Sequence, residues 1–141
     1  MTEAYWQHYS HPADMGIRGL GKTKAQAFEQ SALALTAVIA DLDTIEAQEK
    51  IHISCGPEPD AELLFVKWLN TLLYEMATRD MVFCRFEVNI ENNHLEADVW
   101  GQKLDFDKHQ PCVEVKAATL GDLKVEQQSD GNWVAQCIVD V

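Results

Sequence analysis

The run from Leu63 to Tyr74, Leu-Leu-Phe-Val-Lys-Trp-Leu-Asn-Thr-Leu-Leu-Tyr, constrains this chain more than any other stretch. Phe65, Leu69, Leu72 and Met76 recur at i, i+4, i+7 and i+11, one face of a helix, and Leu64, Trp68 and Leu73 widen that face. A helix this apolar cannot lie on a surface and must be mostly buried. Asp60 and Glu62 place negative charge at its start, where the helix dipole favours it. Pro57 and Pro59 hold the preceding segment extended. The rest of the chain is expected to pack strands and one more helix around this element.

The flanking patterns supply those parts. Tyr5 to Tyr9 and Met15 to Leu20 read as two strands joined by the loop Ser10-His-Pro-Ala-Asp14. Thr23 and Gln26 have capping-box spacing and open a helix whose apolar face is Phe28, Ala32, Leu35 and Ile39, ending near Asp41. Lys50 to Ser54 is a short strand before the central helix. After Arg79-Asp80 the period becomes two: Val82, Cys84, Phe86, Val88 and Ile90 are expected to face one way and Arg85, Glu87 and Asn89 the other. Asn92-Asn93 turns the chain, and Leu95, Ala97 and Val99 return along the partner strand. Gln102 to Pro111 reads as loop. Val113 to Ala117, Leu123 to Gln127 and Trp133 to Val139 read as three more strands, the last entered through Ser129-Asp-Gly-Asn132. The expected architecture is α+β: a two-layer sandwich with two main helices on a mixed, mostly antiparallel sheet.

Length and composition set bounds. A chain of 141 residues suits one domain, expected to cover residues 1–141, with a core that needs no disulfide or structural metal. Cys55, Cys84, Cys112 and Cys137 lie far apart with no Cys-x-x-Cys pair, the pattern of free thiols rather than a zinc ribbon. The longest apolar run, near Leu33 to Ala40, is too short for a bilayer, and the N-terminus lacks the basic-then-apolar pattern of a signal peptide. No membrane association and a cytoplasmic location are the expectations. The formal charge of −12 disfavours direct binding to a phosphate backbone and favours a basic protein partner.

Several short strings bear on chemistry. Gly16 to Thr23 matches G-x-x-x-x-G-K-[ST], the phosphate-cradling loop, but no buried apolar strand precedes Gly16. A strand leading into a capped helix is the preferred reading, with a nucleotide site as its alternative. His8-x-x-His11-x-x-Asp14 has the look of a metal cluster, yet Pro12 and the aromatic flanks argue against the helix that would bring both histidines together. Asp14 stands at a loop-to-strand junction, where a carboxylate can point out of a sheet end. Asp140 precedes Val141, whose α-carboxylate is available if Val141 is the natural terminus. Such oxygen donors suit Ca²⁺ or Mg²⁺ rather than zinc, although spacing alone pairs neither aspartate with the other. Lys108 and His109, adjacent in a polar loop, could contact phosphate or move a proton.

Taken together, the strings His11-Pro-Ala-Asp-Met-Gly-Ile17, Gly21-Lys-Thr23, Trp68-Leu-Asn-Thr-Leu-Leu-Tyr74, Phe83-Cys-Arg-Phe86, Lys108-His109, Val115-Lys-Ala117 with Thr119, and Val139-Asp-Val141 resemble the archease family, in that family's order and over nearly the whole chain. The resemblance implies an accessory protein of the RtcB-type RNA ligase of tRNA splicing and RNA repair. Such a protein promotes guanylylation of the ligase by GTP and multiple turnover, and is not itself an enzyme. It further implies a divalent metal, taken to be calcium in the family, held by Asp14, Asp140 and Val141. Lys108, His109 and Lys116 are then candidates for partner or phosphate contacts. The competing expectations are a small metal-dependent or nucleotide-binding enzyme, or a general chaperone or modulator of protein–nucleic-acid interaction.

Overall fold

A computed structural model describes residues 3–12 and 14–141; Ala13, inside the His11–Ile17 string, and the two N-terminal residues lie outside them. The elements run β1 (Tyr5–His11), β2 (Asp14–Gly21), α1 (Lys24–Ile39), a 3₁₀ turn (Leu42–Thr44), β3 (Glu49–Cys55), α2 (Ala61–Arg79), β4 (Met81–Glu91), β5 (His94–Lys103), α3 (Phe106–His109), β6 (Ala117–Ala118), β7 (Lys124–Gln127) and β8 (Trp133–Asp140). The α+β class with two main helices holds. The strands divide into two sheets, β1-β2-β8-β6 with β7 also on β8, and β3-β5-β4. Every pairing among the described residues is antiparallel.

The helices form where the sequence signals place them. Asp60 caps α2 by accepting from the Leu63 N–H at 2.9 Å, and Asp80 ends it in the left-handed region. Leu64, Phe65, Trp68, Leu69 and Leu72 of α2 are fully buried, and the Trp68 indole donates to the Phe28 carbonyl of α1 at 3.1 Å. Asn70, one turn on from Val66, points elsewhere: its amide donates to the Ala118 carbonyl at 3.2 Å and accepts the Ala118 N–H at 2.8 Å. Thr23 caps α1 through the Gln26 N–H at 3.1 Å. Gln26 reaches back one residue further than a capping box requires, to the Lys22 N–H at 2.8 Å.

Three local expectations change. The alternation in β4 is broken by a bulge between Phe83 and Arg85. Met81 and Phe83 therefore face the core before it, Phe86, Val88 and Ile90 after it, and Cys84 is the extra, half-buried residue. Gln102 and Lys103 still belong to β5, and the expected loop contains α3. The strand expected over Val113 to Ala117 shrinks to Ala117–Ala118. β6 and β7 lie end to end along the same side of β8, one edge strand interrupted at 119–123, where Asp122 takes a positive φ of 50°. Among the described residues no helix is long and apolar enough to cross a membrane.

Candidate functional site at one end of the five-stranded sheet

The outer face of the five-stranded sheet is built in rows that the register defines. On β2, Ile17 and Gly19 face inward. α1 approaches Gly19 so closely that a Cβ there would lie 2.3 Å from the Ala27 carbonyl oxygen and 2.4 Å from the Ser31 nitrogen. Asp14, Gly16 and Arg18, two apart, face outward. Gln7 opposes Arg18, which opposes Gln136; Tyr9 opposes Gly16, which opposes Ile138; His11 opposes Asp14. The last bonded pair of β2 and β8 is Met15 with Val139, so one further step of that register sets Asp14 opposite Asp140. Asp140 in turn pairs with Ala117, and its carbonyl accepts the Lys116 N–H at 2.7 Å.

β2 therefore begins, and β8 ends, on an aspartate of the same face. Directly opposed residues of antiparallel strands carry Cβ atoms about 4.5–5.5 Å apart. Asp14 is half exposed, with one carboxylate oxygen 3.6 Å from the His11 Nδ1. An open pocket of about 650 Å³ is lined by Ser10, His11, Pro12, Asp14, Met15 and Val141. Among the described residues no three His, Cys, Asp or Glu side chains converge as a ready-made ion cage. Asp14, Asp140 and main-chain oxygen at Val141 are the residues at this sheet end that could hold a cation, and oxygen donors of that kind are those Ca²⁺ and Mg²⁺ take.

The other candidates separate. His8 is not part of a cluster: its Nε2 donates to the Ala34 carbonyl of α1 at 2.8 Å. In a strand, His8 and His11 point to opposite faces. His109, expected in an exposed loop, is 2 % exposed. Its Nδ1 accepts the Asp105 N–H at 2.9 Å and its Nε2–H donates to Gln102 Oε1 at 3.0 Å, so its ring braces α3 and has no free nitrogen for a phosphate or a partner. Lys108 is exposed and paired with Glu46, which the ammonium holds below its ordinary value. Lys116 is exposed and, through its main chain, stands beside Asp140.

The phosphate-loop string is also accounted for. β2 runs from Asp14 to Gly21, so Gly16 to Gly21 of the string is pleated strand, with no loop to wrap a phosphate. Its glycines answer to packing, Gly19 beneath α1 and Gly16 beneath Tyr9.

Two polar arrangements had no signal singled out in the sequence. One is the outer-face network of Gln7, Tyr9, Arg18, Gln136 and Asp122. The other lies on the three-stranded sheet. His52 Nδ1 is 3.0 Å from Asp98 and its Nε2 is 2.5 Å from Glu96, while His94 Nε2 and the Ser54 hydroxyl, at 2.6 Å, share the other Glu96 oxygen.

The chain is similar to known proteins over nearly its whole length. The model of the Archease protein family matches residues 6–141. The protein archease of Pyrococcus furiosus is 43 % identical over 140 residues, covering 96 % of this chain and 98 % of the relative, and that of Pyrococcus abyssi is 41 % identical with the same coverage. The solution structure of protein 1598 from Methanobacterium thermoautotrophicum superposes with a TM-score of 0.78 at 26 % identity, covering 96 % of this chain and 98 % of that one.

Proposed function

Because this chain belongs to the archease family, we propose that it is an accessory activator of an RtcB-type RNA ligase, promoting guanylylation of the ligase by GTP and its multiple turnover in tRNA splicing and RNA repair. The covalent chemistry is the ligase's. The observation that carries this reading is the register that sets Asp14, at the start of β2, opposite Asp140, at the end of β8. Asp14, Asp140 and Val141 would hold a divalent cation, Ca²⁺ by preference and Mg²⁺ as the alternative. The ion would neutralise carboxylates that otherwise repel one another. Lys116 and Lys108 are the remaining candidates for contact with the ligase.

The charge supports a protein partner. At −12, the chain is attracted to a basic, RNA-handling enzyme and repelled by RNA itself. The strand geometry of Gly16 to Gly21 speaks against the competing nucleotide-binding enzyme.

The test is a multiple-turnover ligation assay with purified ligase, GTP and RNA ends, with and without this protein. Added protein should raise turnover, and Asp14→Ala and Asp140→Ala should each abolish or strongly reduce that effect while circular dichroism remains unchanged. Full activation by both folded variants would overturn the site. No activation by the parent protein would overturn the function. Retention of GTP by this protein alone on a filter would revive the enzyme reading.

A further inference from the structure

The Asp14 side of the site rests on the β1–β2 hairpin, and among the described residues β1 pairs with β2 alone. The β2–β8 ladder ends at Met15 with Val139, so Asp14 stands one step beyond the last bonded pair, where the hairpin end is free to splay from β8 unless side chains hold it. Tyr9 meets that need by its position. Its ring lies over Gly16: a Cβ on Gly16 would fall 2.3–2.5 Å from three ring carbons, so only a glycine lets the phenol cross β2. The hydroxyl then donates to Asp122 Oδ2 at 2.9 Å, beyond β8, in the interruption between β6 and β7. Asp122 is itself held, since Gln136 Nε2 of β8 donates to its carboxylate at 3.1 Å and to its carbonyl at 3.2 Å. Arg18 closes the arrangement. Its guanidinium sits 4.3 Å from the centre of the Tyr9 ring and donates to Gln136 at 2.8 Å and to Gln7 at 2.6 Å.

The tyrosine thus spans β1, β2 and β8 in the row next to the one holding His11, Asp14 and Asp140. Burial and the bond to Asp122 push its phenol well above the ordinary range, so the hydroxyl keeps its proton and stays a donor. We propose that Tyr9 and Asp122 are positioning residues that strap the Asp14 hairpin across the sheet and fix the spacing of the Asp14 and Asp140 carboxylates for a divalent cation. This rests on the reading of that pair as an ion site. Tyr9 does not touch the ion; it acts through the strand that carries Asp14.

The experiment compares Tyr9→Phe and Gly16→Ala with Thr23→Ala. The first removes the hydroxyl and keeps the ring, and the second pushes the ring off the strand. Thr23→Ala removes a helix cap at the opposite end of β2 and serves as a control for general loss of stability. Calcium affinity is measured by titration calorimetry, and backbone amide exchange at Asp14 and Met15 by NMR. Tyr9→Phe should weaken calcium binding about tenfold, the scale on which groups outside a metal's own ligands act. Gly16→Ala should weaken it at least as much, and Thr23→Ala should leave it unchanged. Ligase activation by Tyr9→Phe should recover at saturating calcium, because the ligands themselves are intact. Unchanged affinity in Tyr9→Phe, or an equal loss in Thr23→Ala, would overturn the proposal. If the parent protein takes up no calcium, the ion reading fails by itself and the exchange data decide the strap: Asp14 and Met15 amides faster in Tyr9→Phe than in Thr23→Ala support it, and equal rates overturn it.

Discussion

Glu29, in the second turn of α1, accepts the main-chain N–H of Val88 at 2.8 Å. β4 is an outer strand of the three-stranded sheet, so this carboxylate stands where the carbonyl of a further strand would. One helix residue thereby closes part of a sheet edge and ties α1, which already lies on the five-stranded sheet, to the other sheet.

That tie has a cost that titration reveals. Burial pushes the Glu29 carboxyl above its ordinary value, against the lowering effect of the Val88 bond, and Glu87 adds to the rise. For an acid whose folded value is raised, the stabilising contribution is full below the unfolded value of 4.5 and is lost as pH climbs through the folded value. Glu29→Gln keeps an acceptor without the charge, so it should flatten the stability curve in that window and leave the protein as stable or more so at neutral pH. Glu29→Ala orphans the Val88 N–H and should cost about 1–3 kcal/mol. Urea denaturation across pH checks both; equal losses in the two variants would show that the charge and the acceptor do not separate in this way.

His52 faces a carboxylate oxygen from each ring nitrogen, so both nitrogens must carry protons for both bonds to form. Asp98 and Glu96 accordingly raise its value above 6.5, and hydrogen bonds from Ser54, His52 and His94 lower Glu96 to about 2. This support is present below the unfolded histidine value and fades as pH rises through the raised one; its Glu96 part is full above the unfolded value of 4.5 and is lost as pH falls from there through about 2. NMR titration should place the His52 midpoint above that of a free imidazole, and Asp98→Asn should bring it down. A midpoint at or below 6.5 in the parent protein would contradict the doubly bonded geometry.

Trp68 is fully buried and donates to the Phe28 carbonyl. Its replacement by alanine should cost about 3–5 kcal/mol. Trp68→Phe, which keeps a ring against Phe86, should cost less. An unaltered denaturation midpoint in Trp68→Ala would place α2 outside the core.

Lys22→Ala should leave ligase activation intact, because Lys22 contributes to the α1 terminus only its main-chain N–H. Thr23→Ala should lower stability by about 1 kcal/mol through the lost cap. Abolished activation in a folded Lys22→Ala protein would return the phosphate-loop string to consideration.

The helices and the Asn92-Asn93 hairpin were legible because their signals are local. Apolar period, caps and turn residues act within a few positions of one another, and α2 and the turn between β4 and β5 lie where those signals put them. The bulge at Cys84 was not legible, since an alternating string reads the same whether or not one residue is squeezed out of the ladder. His109 was misplaced because a polar segment looks exposed until Gln102 and Asp105 are found to satisfy its ring. Asp14 and Asp140 stand near opposite ends of the chain. Only resemblance could suggest their pairing from sequence, and only the register of β2 with β8 gives it a physical basis. The split into two sheets was hidden for the same reason: which strands pair is decided by contacts distant in sequence.

Asn70 has a mechanical consequence. The buried face of α2, from Leu64 to Met76, sets its azimuth coarsely, because hydrocarbon contacts tolerate a small roll. The Asn70 amide offers one donor and one acceptor to Ala118, both at once, in a single angular setting. Each residue of an α-helix turns the axis by about 100°, so slipping α2 by one position would swing both groups away from their partners. Asn70 works as a key in a keyway, fixing finely a roll that the surrounding hydrocarbon sets only coarsely.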